Sequence, residues 1–206
     1  MRFGGAGQLV GRHALRQTDP MTTPDEEPGK GFQRRVPDGD DRERLVCGDC
    51  GFIHYENPKV VVGAVVARGD EILLCRRAIE PRKGFWTLPA GYLELGESAA
   101  EGALREAWEE ARAEIEIDQL LAVYSIRRIS QIQLIYRARL LSKTVSAGPE
   151  SEEVGLFEWS AIPWEEIAFP SVHWALNDHA SLRGSTVFAP RSNPEDASGD
   201  LRVEGL

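Results

Sequence analysis

Apolar positions in the middle of this chain come in short, strand-like runs. Val60 to Val66 is rich in β-branched residues and Ile72 to Cys75 is a second apolar run. Gly69-Asp70 lies between them, so the pair reads as a hairpin. Phe85 to Leu88 reads as a short strand stopped by Pro89, and Leu120 to Ile126, the alternating Gln131 to Leu140, and Val154 to Trp159 as three more. Two segments are helical instead. Ser98 and Glu101 form an S-x-x-E capping box, which starts a helix at Ser98. Ala100, Ala103, Leu104, Ala107, Trp108 and Ala111 then fall on one side, expected to be the packed face. Ser171 to Leu182 reads as a closing helix. Residues 1–45, rich in Gly, Pro, Asp and Arg, read as a flexible extension, 46–58 as a small knuckle, 59–182 as the main domain and 183–206 as a flexible polar tail. Strands before and after a helix, with a final helix, predict an α/β sandwich on a mixed sheet.

The first helix carries an unusual charge pattern. Glu106, Glu109 and Glu110 are spaced by three and four, and at roughly 100° per residue they share one face. Acidic pairs at that spacing repel, and a hard divalent cation, which takes carboxylate and phosphate oxygens, offsets the repulsion. Arg105 stands at the edge of this face, placed to hold a carboxylate such as Glu97 through a forked hydrogen bond.

Gly91, Glu97, Arg105, Glu106, Glu109 and Glu110 together match the charged and first-glycine positions of G-x5-E-x7-R-E-U-x-E-E-x-G-U, where U is aliphatic. The segment resembles the Nudix box, and Ala107 and Ala113 stand at its U positions. One position departs, since Arg112 replaces the second glycine, which in the family closes the helix. The resemblance covers residues 57–182. It implies an α-β-α sandwich and a hydrolase that cleaves a nucleoside diphosphate linked to another moiety into two monophosphates. It also implies Mg²⁺ or Mn²⁺ on Glu106, Glu109 and Glu110, with Glu106 or a late-loop glutamate taking a proton from water and Glu97 and Arg105 holding the constellation. Glu150 and Glu153, in Gly148-Pro-Glu150-Ser-Glu152-Glu153, fit the late-loop role best, and Glu153 is the residue expected to join the catalytic group.

Arg76, Arg77, Arg82 and Lys83 form a basic cluster before the box. Arg77 and Arg82 are expected to meet substrate phosphates, Trp86 to stack on a base and Gly91 to border the substrate. The residues Gly91 to Ala100 look most like the FAD-hydrolysing plant members of the family. A proline that often follows the box in ADP-ribose-selective members is missing, because no Pro lies between Pro89 and Pro149. The expected substrate is therefore a dinucleotide of the FAD, ADP-ribose or NADH type.

Cys47-x2-Cys50-Gly, followed by His54-Tyr-Glu-Asn-Pro-Lys59, resembles the C-terminal half of the zinc ribbon that precedes some Nudix domains. The matching upstream pair should fall near residues 30–33, where the chain reads Lys-Gly-Phe-Gln. A structural zinc wants four ligands, so the sequence argues against Zn²⁺ at Cys47 and Cys50. Three cysteines supply no disulfide framework and suit a reducing, cytoplasmic setting. A net charge of -9 argues against nucleic acid and membrane surfaces as partners. A homodimer is compatible with all of this. Residues 1–18, with Arg2, Arg12 and Arg16 and no acid, read as an unstructured leader, with Met21 an alternative start. Two rival readings are a nucleotide sensor whose decayed box is marked by Arg112, and a zinc-ribbon adaptor, against which the missing knuckle and the acidic charge weigh.

Overall fold

The computed structural model describes residues 31–195, so the expected leader at 1–18 and the end of the tail lie outside the described residues. The chain divides into two compact units, Met1–Glu56 and Asn57–Leu206. In the first, β1 (Phe32–Arg35), β2 (Arg44–Cys47) and β3 (Ile53–His54) form an antiparallel meander. Asp40 N–H donates to the Pro37 carbonyl at 3.1 Å across the first turn, with Gly39 at φ 86°, the positive φ that the third residue of such a turn requires. Residues 31–45 were expected within a flexible extension, and Phe32–Arg35 and the start of Arg44–Cys47 are instead strands of this sheet. The polar composition misleads because most β1 side chains face solvent and Val46 is the single buried hydrophobic of this unit among the described residues.

The second unit is built on one mixed sheet. Its main path runs β10 (Ser151–Glu158), β5 (Glu71–Arg77), β4 (Lys59–Arg68), β9 (Gln131–Leu140), β8 (Ile115–Ile126). Only β4 and β9 run parallel. Side chains alternate across β4 and β5 as the pleat demands. Ala64, Val66, Leu73 and Cys75 pack with Ala107 and Ala111 of α1 (Ala99–Ala111), whereas Val65, Ile72 and Leu74 pack with Val172, Ala175 and Leu176 of α2 (Pro170–Ser181). One helix on each face makes the expected α-β-α sandwich. Each expected strand and both helices are present, with ends shifted by a few residues, as at β8, which begins five residues before Leu120.

The same edge of β4 serves two partners. Its last residues, Ala67 and Arg68, pair with β5, while Val61, Val62 and Gly63 pair with β7 (Ala90–Tyr92). β5 is continued on its far part by β6 (Trp86–Thr87). The crossing at Gly63 is tight, because a Cβ there would stand 2.7 Å from the Pro89 carbonyl oxygen, and Ala64 N–H donates to that oxygen at 3.2 Å. β7 leads directly into the loop before α1, so this crossing aims the loop.

The tail expected to be flexible from residue 183 is docked as far as Asn193. Arg191 exchanges main-chain hydrogen bonds with Leu121 and Val123 at 2.8 and 2.9 Å, covering the outer edge of β8. The Asn193 amide bonds both main-chain groups of Ser125 at 2.8 and 3.0 Å. Phe188 packs on the α2-side core beneath the Arg137 guanidinium, 4.5 Å away. Lacking periodicity, such a segment gives no sequence sign of a docked strap.

Gly63→Ala should lower stability by about 2 kcal/mol through overpacking against Pro89 and Ala90, measured by urea unfolding. Loss of activity at full stability would show that β7 can shift without strain.

Candidate active site

α1 begins as the capping box dictates. The Ser98 hydroxyl accepts Glu101 N–H at 3.3 Å and the Glu101 carboxylate accepts Ser98 N–H at 2.8 Å. At the other end Arg112 adopts the left-handed conformation, φ 49° and ψ 34°, and its N–H caps Ala107 and Trp108 carbonyls. Arg112 therefore does what glycine does at this box position. Its guanidinium bonds the Trp108 carbonyl at 3.2 Å and lies over the Trp108 ring.

The packed face of α1 differs from expectation. Leu104 and Trp108 are 38% and 48% exposed, whereas Glu106 and Glu110 retain only 8% and 5% of their surface. Alanines 103, 107 and 111 supply the apolar packing, and two carboxylates of the acidic face turn toward the sheet beside them. Hydrophobicity alone put Leu104 and Trp108 inside. On the carboxylate side polar partners are at hand, Ala90 N–H of β7 for Glu110 and Arg105 for Glu106.

Arg105 organises the cluster. Its Nε and Nη2 form a fork on Glu97 at 3.0 and 2.8 Å, as expected. Nη1 reaches both Glu106 at 2.7 Å and Glu109 at 2.9 Å, and Nη2 also donates to the Tyr92 carbonyl at 3.0 Å. Glu97 further accepts Glu94 N–H at 2.7 Å. The Arg105 and Glu94 bonds together hold its carboxyl at a pKa of about 2. Glu106 is shifted the other way, up, chiefly by burial and against the pull of Arg105. Glu110 is pushed up to about 8 by burial, although the Ala90 N–H donates to it at 3.1 Å and Arg77 lends positive charge. Gly91 is needed where it stands, since a Cβ there would lie 2.5 Å from Cδ of Glu106.

The late loop reaches the end of α1. Gly148 and Ser146 N–H groups donate to the Glu110 and Ala111 carbonyls at 2.9 and 3.0 Å, and a Cβ on Gly148 would collide with the Glu109 main chain. This approach brings Glu150 close enough for its charge to raise both Glu106 and Glu110. Glu153, expected in the catalytic group, instead faces Arg76 at 3.7 Å, and Glu152 faces Lys83 at 3.8 Å.

The basic cluster divides in the same way. Arg77 bears on Glu110 and is held by the Pro81 carbonyl at 2.8 Å and by the Phe169 ring beneath its guanidinium at 5.3 Å. Arg76 is tied to the Gly84 carbonyl at 2.8 Å, and Arg82 lies over Phe85 at 5.3 Å. Trp86 cannot stack on a base, because it is 6% exposed and packs edge-on against Phe157 at 4.9 Å within the core. The groups that sequence reasoning missed are largely main chain, namely Ala90 N–H, Glu94 N–H and the Tyr92 carbonyl, which any residue type supplies.

Residues 57–180, well over half of the chain, match the NUDIX domain model, and residues 27–56 match the Nudix N-terminal zinc-ribbon model. The chain belongs to the Nudix hydrolase family. A solved Nudix hydrolase from Nitrosomonas europaea is 44% identical with a TM-score of 0.74, covering 79% of this chain and 93% of that one. An ADP-ribose pyrophosphatase of Methanocaldococcus jannaschii is 30% identical over 53% of this chain and 67% of its own length. The NAD-capped RNA hydrolase NudC of Stutzerimonas stutzeri is 33% identical over 53% of this chain but only 39% of its own length.

The family generally uses divalent metals. Among the described residues no group of three or more His, Cys, Asp or Glu side chains is already arranged to hold a metal ion, and Arg105 bridges Glu106 and Glu109. The donor chemistry of this Nudix hydrolase nevertheless fits a hard cation. Glu106, Glu109, Glu110 and Glu150 offer only oxygen, and the buried pair is under-compensated, since burial raises both Glu106 and Glu110 and the charges of Glu106 and Glu150 raise Glu110 further. The N-terminal unit fits its implied zinc poorly. It offers Cys47 and Cys50 on one turn, and the third cysteine, Cys75, is buried in β5 of the other unit. Among the described residues no helix is long and apolar enough to cross a membrane.

Glu110 binds its proton more tightly folded, at about 8, than at the ordinary 4.5. Its contribution is thus full below the unfolded value and is lost as pH rises toward the folded one. In protein stripped of divalent cations, denaturant midpoints should fall from about pH 5 to about pH 8, and Glu110→Gln should flatten that fall. An unchanged slope in the variant would remove Glu110 as its source.

Proposed function

We propose that this Nudix hydrolase is a metal-dependent pyrophosphohydrolase acting on a nucleoside diphosphate linked to another moiety, of the ADP-ribose, FAD or NADH type. The reading is carried by one observation, the buried and mutually repelling carboxylates of Glu106 and Glu110 beside Glu109 and Glu150, set around a single bridging arginine. The named activity of the Methanocaldococcus jannaschii relative agrees with it.

Glu106, Glu109 and Glu110 would hold Mg²⁺ or Mn²⁺. When bound, the cation neutralises phosphate charge and favours attack at phosphorus. The chain's own residues do the rest. Arg77, the cluster arginine whose charge reaches Glu110, takes a phosphate oxygen. Glu106 or Glu150 accepts the proton of the attacking water, and burial that raises the Glu106 pKa makes it a better base near neutral pH. Glu97 and Arg105 hold Glu106 and Glu109 in register, as groups behind the reacting shell do. The water oxygen bonds to one phosphorus, the bridging oxygen leaves with its electron pair and takes a proton, and two monophosphates result. Glu150 replaces Glu153 in this scheme because Glu153 is engaged by Arg76.

Incubation with FAD, ADP-ribose and NADH plus Mg²⁺ or Mn²⁺, with products resolved by chromatography, should show two monophosphates from at least one substrate. Glu109→Gln and Glu110→Gln should each lower kcat by roughly a hundredfold or more with the fold retained, a loss typical of groups that stabilise transition-state charge. Glu150→Gln should lose far more than Glu153→Gln. Near wild-type turnover in Glu109→Gln and Glu110→Gln at saturating cation would sink the assignment.

The sensor alternative rests on Arg112, and the left-handed cap formed there leaves the carboxylates in place. Arg112→Gly should therefore leave kcat/KM unchanged and relieve about 1 kcal/mol of backbone strain. An inactive parent paired with an active Arg112→Gly variant would reinstate the sensor.

A further inference from the structure

The N-terminal unit has the fold of a zinc ribbon, to judge by the family model it matches, but only half of the thiols. Phe32 lies directly opposite Cys47 in the β1–β2 register, in the stretch where the first pair of ligands belongs. Its ring meets Phe52 and His54 edge-on, each at 6.4 Å. Gly48 N–H ties the start of β1 through the Gly31 carbonyl at 2.9 Å. His54 is drawn into the β2–β3 pairing opposite Leu45. Aromatic packing and main-chain bonds thus stand in the place of the metal, and two cysteines are left with no ligand role.

These two are closely juxtaposed. Cys47 N–H donates to the Phe52 carbonyl at 2.8 Å and Gly51 N–H donates to the Cys47 carbonyl at 3.0 Å, with Gly51 at φ 75°. The turn folds Cys50 back toward Cys47. The Cys50 thiol and the N–H groups of Asp49 and Cys50 favour the Cys47 thiolate, holding it below the usual thiol range although burial and the Asp49 charge oppose them. Cys50 is exposed, Cys47 half-buried, and Cys75 fully buried.

We propose that the surviving knuckle is a metal-free, oxidisable dithiol, in which Cys47 and Cys50 close into a disulfide by exchange with a low-molecular-weight disulfide. The Cys47 thiolate attacks one sulfur of the small disulfide, forming a mixed disulfide and releasing one thiolate, which takes up a proton. The Cys50 thiol then gives up its proton and attacks the Cys47 sulfur, expelling the second small thiol. The protein loses two hydrogens and the small disulfide becomes two thiols, so atoms and electrons balance.

The test uses the full chain as purified, treated with an aromatic disulfide reagent such as 5,5′-dithiobis(2-nitrobenzoate), with zinc measured by elemental analysis. Native protein should hold no stoichiometric zinc and release two equivalents of chromophore with no label retained, and peptide mass mapping should find Cys47 joined to Cys50 and Cys75 still reduced. Cys50→Ser should release one equivalent and keep the label on Cys47. About one zinc per chain that blocks the reagent would overturn the proposal. So would a label retained on the wild-type chain, or thiols that do not react. The wild-type measurements decide the matter even if Cys50→Ser does not fold, and they are independent of any hydrolytic assay.

Discussion

The guanidinium of Arg105 is hydrogen-bonded at once to Glu97, Glu106, Glu109 and the Tyr92 carbonyl. It thereby bridges three carboxylates gathered near one helix, which would otherwise repel one another. Planarity matters here, because the five donors of an arginine fork outward in fixed directions and a lysine ammonium cannot reach four acceptors in one plane. The fork is anchored on Glu97, whose pKa is held at about 2 by Arg105 and the Glu94 N–H. Glu97 thus stays ionised, and Arg105 is kept in a single orientation toward the two glutamates on α1.

The sheet sets where that helix lies. β4 gives one part of its edge to β5 and another to β7, so the loop leaving β7 emerges over the middle of the sheet. β7 itself supplies Ala90 N–H to Glu110 and leaves room at Gly91 for Glu106. From the other side the late loop presses Gly148 against the last turn of α1, which carries Glu150 toward the same carboxylates. Close backbone approach, permitted by Gly63, Gly91 and Gly148, is what brings the acidic groups together.

Burial of the two carboxylates has a chemical consequence. Desolvation raises Glu106 and Glu110, and the Glu106 charge raises Glu110 further. A folded protein tolerates this only where something compensates, by protonation or by a bound cation. The cluster is therefore costly as architecture alone, and that cost is what supports the proposed cation site. In the N-terminal unit the Phe32 ring meets Phe52 and His54 edge-on, and main-chain pairing joins its three strands.

Local spacing by itself determined a good deal about this protein. The capping box, the Glu97 to Arg105 fork, the shared face of Glu106, Glu109 and Glu110 and the hairpin at Gly69-Asp70 all depend on residues near one another in the chain, and each was readable from it. Other features needed the tertiary structure. Trp86 and Leu104 exchanged their expected environments because burial is decided by what packs opposite, Phe157 in one case and solvent in the other. Glu150 rather than Glu153 bears on the site because the Gly148 approach and the β5–β10 register turn one toward α1 and the other toward Arg76. Phe32–Arg35 and the strap at Arg191 are held by main-chain pairing, which leaves no mark in side-chain composition. Short-range geometry is written in residue order, whereas long-range approach is set by the summed packing of elements far apart in that order.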